Sequence, residues 1–276
     1  MSIGTLGALR ILATQSPTTP PRSVASRDRV RRRRHGHVPV TWIDEQKAAR
    51  GVIVHLHGGS YLRGERAEHW TWLEEVARRA DVAAAMIHYS LAPRHPFPRA
   101  DEDVLHALHA LDRAALLPAG RWVLSGDEAG AGLALGVQAQ LATLGVTEPS
   151  LLLLSVPWAD LTAEHRLDGE HRQAARMYAD GADREDPRIS PLRGDLEGLP
   201  PVHLAVGGDD LLAPDSRALV ERIAAAGGEA VLHEEPGHGD GFPIVRPGVA
   251  AQRAWRSQIA AVRAAVGARP ATADAH

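Results

Sequence analysis

The chain has 276 residues, 44% of them apolar and 24% charged, enough to bury the core of one large layered domain. A formal net charge of −3 leaves no broad basic surface of the kind nucleic acid demands, and the absence of cysteine excludes disulfides and thiolate metal sites. No apolar run reaches the roughly 18 residues that span a bilayer, and the first residues lack the small-residue cleavage site of a secretory signal. A cytoplasmic protein with neither a membrane span nor a nucleic-acid partner is therefore expected.

Residues 1–37 read as an N-terminal arm or cap segment. They are rich in Pro, Thr, Ser and Arg from residue 14 onward and end in RVRRRRHGH, where the run from Arg31 to Arg34 reads as a solvated charged face. From Val38 the pattern becomes regular. VPVTWI, GVIVHLH, VAAAMIH, RWVLS, SLLLLSV, PVHLAVG and EAVLHEE read as strands, most nearly continuously apolar, as in a parallel sheet covered on both faces. Helical stretches at 66–80, 101–112, 129–144, 215–227 and 248–266 lie between or after them. The alternation predicts an α/β fold over 38–266, a mostly parallel doubly wound sheet with helices on both faces. The polar, interrupted interval 163–194 reads as a cap excursion over the sheet's C-terminal edge, where ligands bind in such folds. Residues 267–276 read as a disordered tail.

The chemistry-bearing loops follow the predicted strands. HLHGGSYLRG comes after the second and HYSLAPRHPFP after the third. LSGDEAGAG, residues 124–132, has the layout of a nucleophile elbow, a sharp strand-to-helix turn flanked by glycines, but Glu128 stands where an elbow carries serine. VGGDDLLAPDS follows the sixth strand and EEPGHGDGF the seventh. Nucleophile position, acid, histidine is the chain order of α/β-hydrolases.

Together with VPWADLT, DPRISPL and GLPP, these segments resemble the hormone-sensitive-lipase-like family of carboxylesterases, from about Val38 to Phe242. That family carries an HGGG oxyanion loop and a G-D-S-A-G-G elbow. Three departures cluster at the nucleophile: Glu128 for its serine, Ala131 for the elbow's second glycine, and Ser60 for the loop's third glycine. The cap interval is also short for the family.

The resemblance implies a α/β-hydrolase fold with a reduced cap. It also implies an oxyanion hole made by the backbone N–H groups of Gly58, Gly59 and Ala129, and a catalytic set of Glu128, Asp210 and His238, with Asp210 orienting the histidine. Asp209 and Asp215 are rivals for that orienting role. Ser125, three residues before Glu128 at the strand end, is a poor substitute nucleophile. The histidine pairs His55/His57 and His106/His109 have spacings that permit a metal, but neither has an evident third ligand. No cofactor or metal is implied. A small-molecule substrate or ligand is, and a homodimer through the last strand and helix is left open.

A carboxylate attacking an ordinary ester must form an anhydride and expel a far more basic alkoxide, and loss of a triad nucleophile costs on the order of a millionfold. Serine-esterase turnover is therefore not expected. Glu128 is expected to accept hydrogen bonds from the oxyanion loop, to pair with His238, or both. Carboxylate acid–base chemistry or displacement at an sp³ carbon such as an epoxide is the leading reading. The alternatives are a silent ligand-binding pseudo-hydrolase and an esterase with an artificially replaced serine.

Overall fold

Eight strands form one sheet: β1 (Val30–His35), β2 (Val38–Ile43), β3 (Val52–Leu56), β4 (Ala83–Ile87), β5 (Trp122–Asp127), β6 (Leu151–Ser155), β7 (Val202–Gly207) and β8 (Ala230–Glu235). Their order is β1-β2-β4-β3-β5-β6-β7-β8. The first two pairings are antiparallel and the rest parallel. The computed structural model describes residues 11–239, 241–245 and 248–267. The expected disordered tail lies outside these, apart from Gly267, which ends the last helix.

The helices are α1 (Ala67–Ala80), α2 (Arg99–Arg113), α3 (Ala129–Leu141), α4 (Gly169–Ala179), α5 (Ala213–Ala225) and α6 (Val249–Gly267). Strands β3 to β7 are buried along their whole length, which is why their sequences lack polar alternation. Val52, Val54 and Leu56 face the layer of α2, α3 and α5, while Ile53 faces the layer of α1 and α6. Helix α3 packs tightly on β3; a Cβ on Gly130 would collide with the carbonyl of Leu56, so glycine is required there. No helix among the described residues is long and apolar enough to cross a membrane.

One expectation is corrected. The Arg31–Arg34 run is exposed, as a solvated face should be, but it forms the middle of β1, so the sheet begins at Val30 rather than Val38. A two-residue turn, Gly36-His37, returns the chain from His35 to Val38, with Gly36 at φ 63°; glycine at that first turn position suits a tight hairpin. Arg29 anchors the strand's start with bonds to Asp44 (2.8 Å) and Glu74 (2.9 Å). Exposed arginines along an edge strand also discourage pairing with another chain. The interval 163–194 contains α4, capped by Asp168 through the backbone N–H of His171 (2.8 Å).

Candidate active site

The elbow is built as its glycines imply. Glu128 has φ 49° and ψ −114°, a conformation costly for a residue with a Cβ. Its backbone is fixed on both sides: Glu128 N donates to Ser155 O (2.9 Å), and Trp158 N donates to Glu128 O (3.0 Å). The turn throws the side chain into a cleft of about 1270 Å³ at the C-terminal ends of β3, β5 and β7. The N-terminal segment lines it through Thr14, Pro17 and Thr18, and α4 with its cap residue lines it through Asp168, Glu170 and His171. Leu212, Phe242, Ile244 and Val245 give the cleft an apolar part.

Inside the cleft the Glu128 carboxylate is held by the glycine-containing loop after β3. Its Oε2 accepts from Gly59 N (2.6 Å) and Ser60 N (2.8 Å), and its Oε1 accepts from Ser60 Oγ (2.8 Å). Gly59 (φ 128°), Ser60 (φ 54°) and Tyr61 (φ 60°) are consecutive left-handed residues, the twist that presents successive N–H groups to one point. Of the three expected donors, Gly59 is at the carboxylate and Ala129 opens α3 directly behind it. Gly58 is a correction. Its N–H donates to Asp127 Oδ1 (2.9 Å), and Ser60 takes its place. The residue read as a departure from the family's third glycine thus contributes both an N–H and a hydroxyl.

His171 lies beside Glu128, with Nε2 3.8 Å from Oε1. Its Nδ1 lies 2.9 Å from Asp168 Oδ1, and its ring meets Trp158 edge-on. His238 donates from Nδ1 to Pro236 O (2.9 Å), and its ring packs against Phe242. Asp210 accepts from Leu212 N (2.9 Å) and Gly241 N (3.3 Å), fixing its own turn to the loop beyond His238. Of the rivals, Asp215 is buried and holds Ala159 N, Asp160 N and Arg166, while Asp209 joins His238 through the backbone. Ser125 faces away, its Oγ 3.1 Å from His55 Nδ1.

Behind the oxyanion loop lies a buried polar layer that motif reading missed. Asp127 accepts from Gly58 N and from Nε2 of both His55 and His69, each 3.1 Å away. Arg66 N donates to His69 Nδ1 (2.8 Å), which assigns the other ring proton to Nε2. Burial would raise the Asp127 pKa, but these partners outweigh it and hold the carboxyl well below its usual range. Glu65 does the same for the N-terminal segment. It accepts from Thr18 N and Oγ1 and lies 3.3 Å from His88 Nδ1 and 3.7 Å from His57 Nε2.

Burial pushes His57 down to about 4 from 6.5, against the pull of Glu65. A histidine depressed in the folded state takes up its proton first in the unfolded chain. Its contribution is complete above about pH 6.5 and is lost as pH falls toward 4. The expected loss is about 3 kcal/mol for this residue, read as a falling urea midpoint between about pH 7 and about pH 4.5.

The α/β hydrolase fold family matches residues 53–244. An acetyl-hydrolase of Streptomyces hygroscopicus is 34% identical over 213 residues, spanning 73% of this chain and 71% of the relative. Human hormone-sensitive lipase is 36% identical over 121 residues, 42% of this chain and 11% of the lipase. The crystal structure of EstE5 soaked with p-nitrophenyl butyrate superposes with a TM-score of 0.81 at 27% identity, covering 97% of this chain and 93% of that one.

Proposed function

The chain belongs to the α/β hydrolase fold family, and within it we propose a carboxylesterase-like, hydrolase-type enzyme that uses Glu128 as a carboxylate nucleophile on a small ester-like molecule bearing a strained or activated alkyl C–O bond. An epoxide is the simplest such substrate. The observation that carries this reading is the division of labour within one carboxylate: Oε2 sits in the oxyanion hole, while Oε1 faces the cleft beside His171. Attack by Oε1 on an sp³ carbon breaks the substrate's C–O bond and makes an alkyl ester of Glu128. The freed oxygen takes a proton from solvent.

In that ester Oε2 is the carbonyl oxygen, already held by Gly59 N and Ser60 N. Water adding to the carbonyl carbon puts negative charge where those donors already point, without reorganisation. The collapsing intermediate releases the alcohol and restores the carboxyl group. A general base would use the same free lone pair of Oε1 on water instead of on carbon, and the position of a heavy-oxygen label separates the two. The apolar part of the cleft, with Phe242, Ile244 and Val245, suits a substrate with a hydrocarbon portion.

The test is a single turnover of styrene oxide in heavy-oxygen water. Displacement leaves the heavy oxygen in the Glu128 carboxyl, read by peptide mass, whereas base-activated water puts it in the diol. Wild type is expected to leave p-nitrophenyl butyrate at the background rate. Glu128→Ser empties three donors, Gly59 N, Ser60 N and Ser60 Oγ, and is expected to gain turnover of that ester at least about tenfold, a small return of the usual oxyanion contribution. No label in either place with any strained substrate would leave the ligand-binding reading standing.

A further inference from the structure

We infer that His171, carried on the cap helix and oriented by Asp168, is the base that activates water against the Glu128 ester, in place of the family's loop histidine at His238. The inference rests on the reading of Glu128 as the attacking carboxylate. Three observations carry it. His171 Nε2 lies 3.8 Å from Glu128 Oε1, too far for a direct hydrogen bond but beside the carboxyl group that water must reach. Its Nδ1 is 2.9 Å from Asp168 Oδ1, and that oxygen also accepts the His171 backbone N–H at 2.8 Å, so one carboxylate fixes both the ring and the helix start. The ring's edge-on contact with Trp158 adds a third constraint. With Nδ1–H given to Asp168, Nε2 is the nitrogen available to the cleft, the arrangement in which an acid–histidine pair acts as a base.

The Nδ1 of His238 is bonded instead to Pro236 O, a main-chain carbonyl of its own loop. The cap is tied to the oxyanion loop by the Arg63–Glu170 ion pair (2.5 Å), which sets His171 over the elbow. The step balances as follows. Nε2 removes a proton from water as the water oxygen bonds to the ester carbon and charge gathers on Oε2. Collapse breaks the bond between that carbon and the alkoxy oxygen, and the departing alkoxide takes the proton back from Nε2. Glu128 is left as the free acid and releases its proton to solvent. His171 is therefore a catalytic residue and Asp168 a positioning residue.

The experiment mixes styrene oxide with full-length wild type, His171→Asn, His171→Ala and His238→Asn, and follows intact-protein mass with time. The expected result is a Glu128 adduct that accumulates in both His171 variants, with decay slowed by about 10²–10⁴, and is released from His171→Ala by added imidazole. Asp168→Asn should slow adduct decay by about tenfold while leaving its formation unchanged, less than the ~10⁴ of a buried triad aspartate, because Asp168 is half exposed. A melted cap helix would slow both steps. Accumulation in His238→Asn with prompt decay in the His171 variants would overturn the assignment in favour of the loop histidine. Accumulation in His171→Ala that imidazole does not relieve would overturn it as well. Absence of an adduct in every variant, with no heavy oxygen entering Glu128, is instead the failure of the nucleophile reading on which the inference rests.

Discussion

Glu128→Gln is expected to lower turnover of a strained substrate by roughly 10⁵–10⁶, the scale of losing a nucleophile outright, with little change in thermal stability. The substitution is close to isosteric. A glutamine Oε1 in the Oε2 position still accepts from Gly59 N and Ser60 N, while its amide group faces Ser60 Oγ and His171. The backbone at φ 49° is held by Ser155 O and Trp158 N, not by the side chain, so the elbow keeps its shape. What is lost is the anionic oxygen that attacks. Stopped-flow turnover beside a calorimetric scan checks both halves. A variant retaining a tenth of wild-type rate would place the chemistry on another group.

Asp127→Ala is expected to cost about 4 kcal/mol, because three buried donors lose their acceptor at once and breaking a buried charged network by removing one partner costs about 3–5 kcal/mol. The donors are Gly58 N, His55 Nε2 and His69 Nε2. At this chain length the melting temperature should fall by on the order of 10 °C. Asp127→Asn, which keeps one acceptor oxygen, should cost less. The loss reaches the chemistry as well, since Gly58 N on Asp127 is what sets the following Gly59 and Ser60 against Glu128. The folded carboxyl is held below its unfolded value, so its stabilisation is present above about pH 4 and is lost only as pH falls below that value. This separates it from the His57 loss, which occurs between 6.5 and 4.

The buried strands β3 to β7 and the elbow were legible because apolar runs and glycines are local signals. Strand β1 was hidden because four successive arginines carry no apolar alternation. The signal available was the two-residue turn at Gly36-His37, which precedes a strand already recognised. At the site, Glu128, Gly59 and the elbow geometry followed from motif order. The role of Ser60 did not, since it depends on a positive φ that turns both its N–H and its hydroxyl toward one carboxylate. His171 sits in a polar interval with no strand register to place it. Asp168 followed three residues later by His171 is a helix-start pattern, and reading it as such would have found α4 and hence the pair. Asp127 was passed over because its partners His55 and His69 come from β3 and α1, and only the packed sheet brings them together.

The carboxylate that takes up the Gly59 and Ser60 donors also decides how this chain answers to reagents. Fluorophosphonates and boronates find serine esterases by bonding to an elbow oxygen while their own oxygens settle into empty donors. Here the donors are already taken and the elbow oxygen forms a mixed anhydride that water destroys. On the reading proposed above, a survey of a proteome by such labels passes over this molecule, whereas an alkylating electrophile is the bait for a variant that forms the Glu128 ester and does not release it, such as His171→Ala.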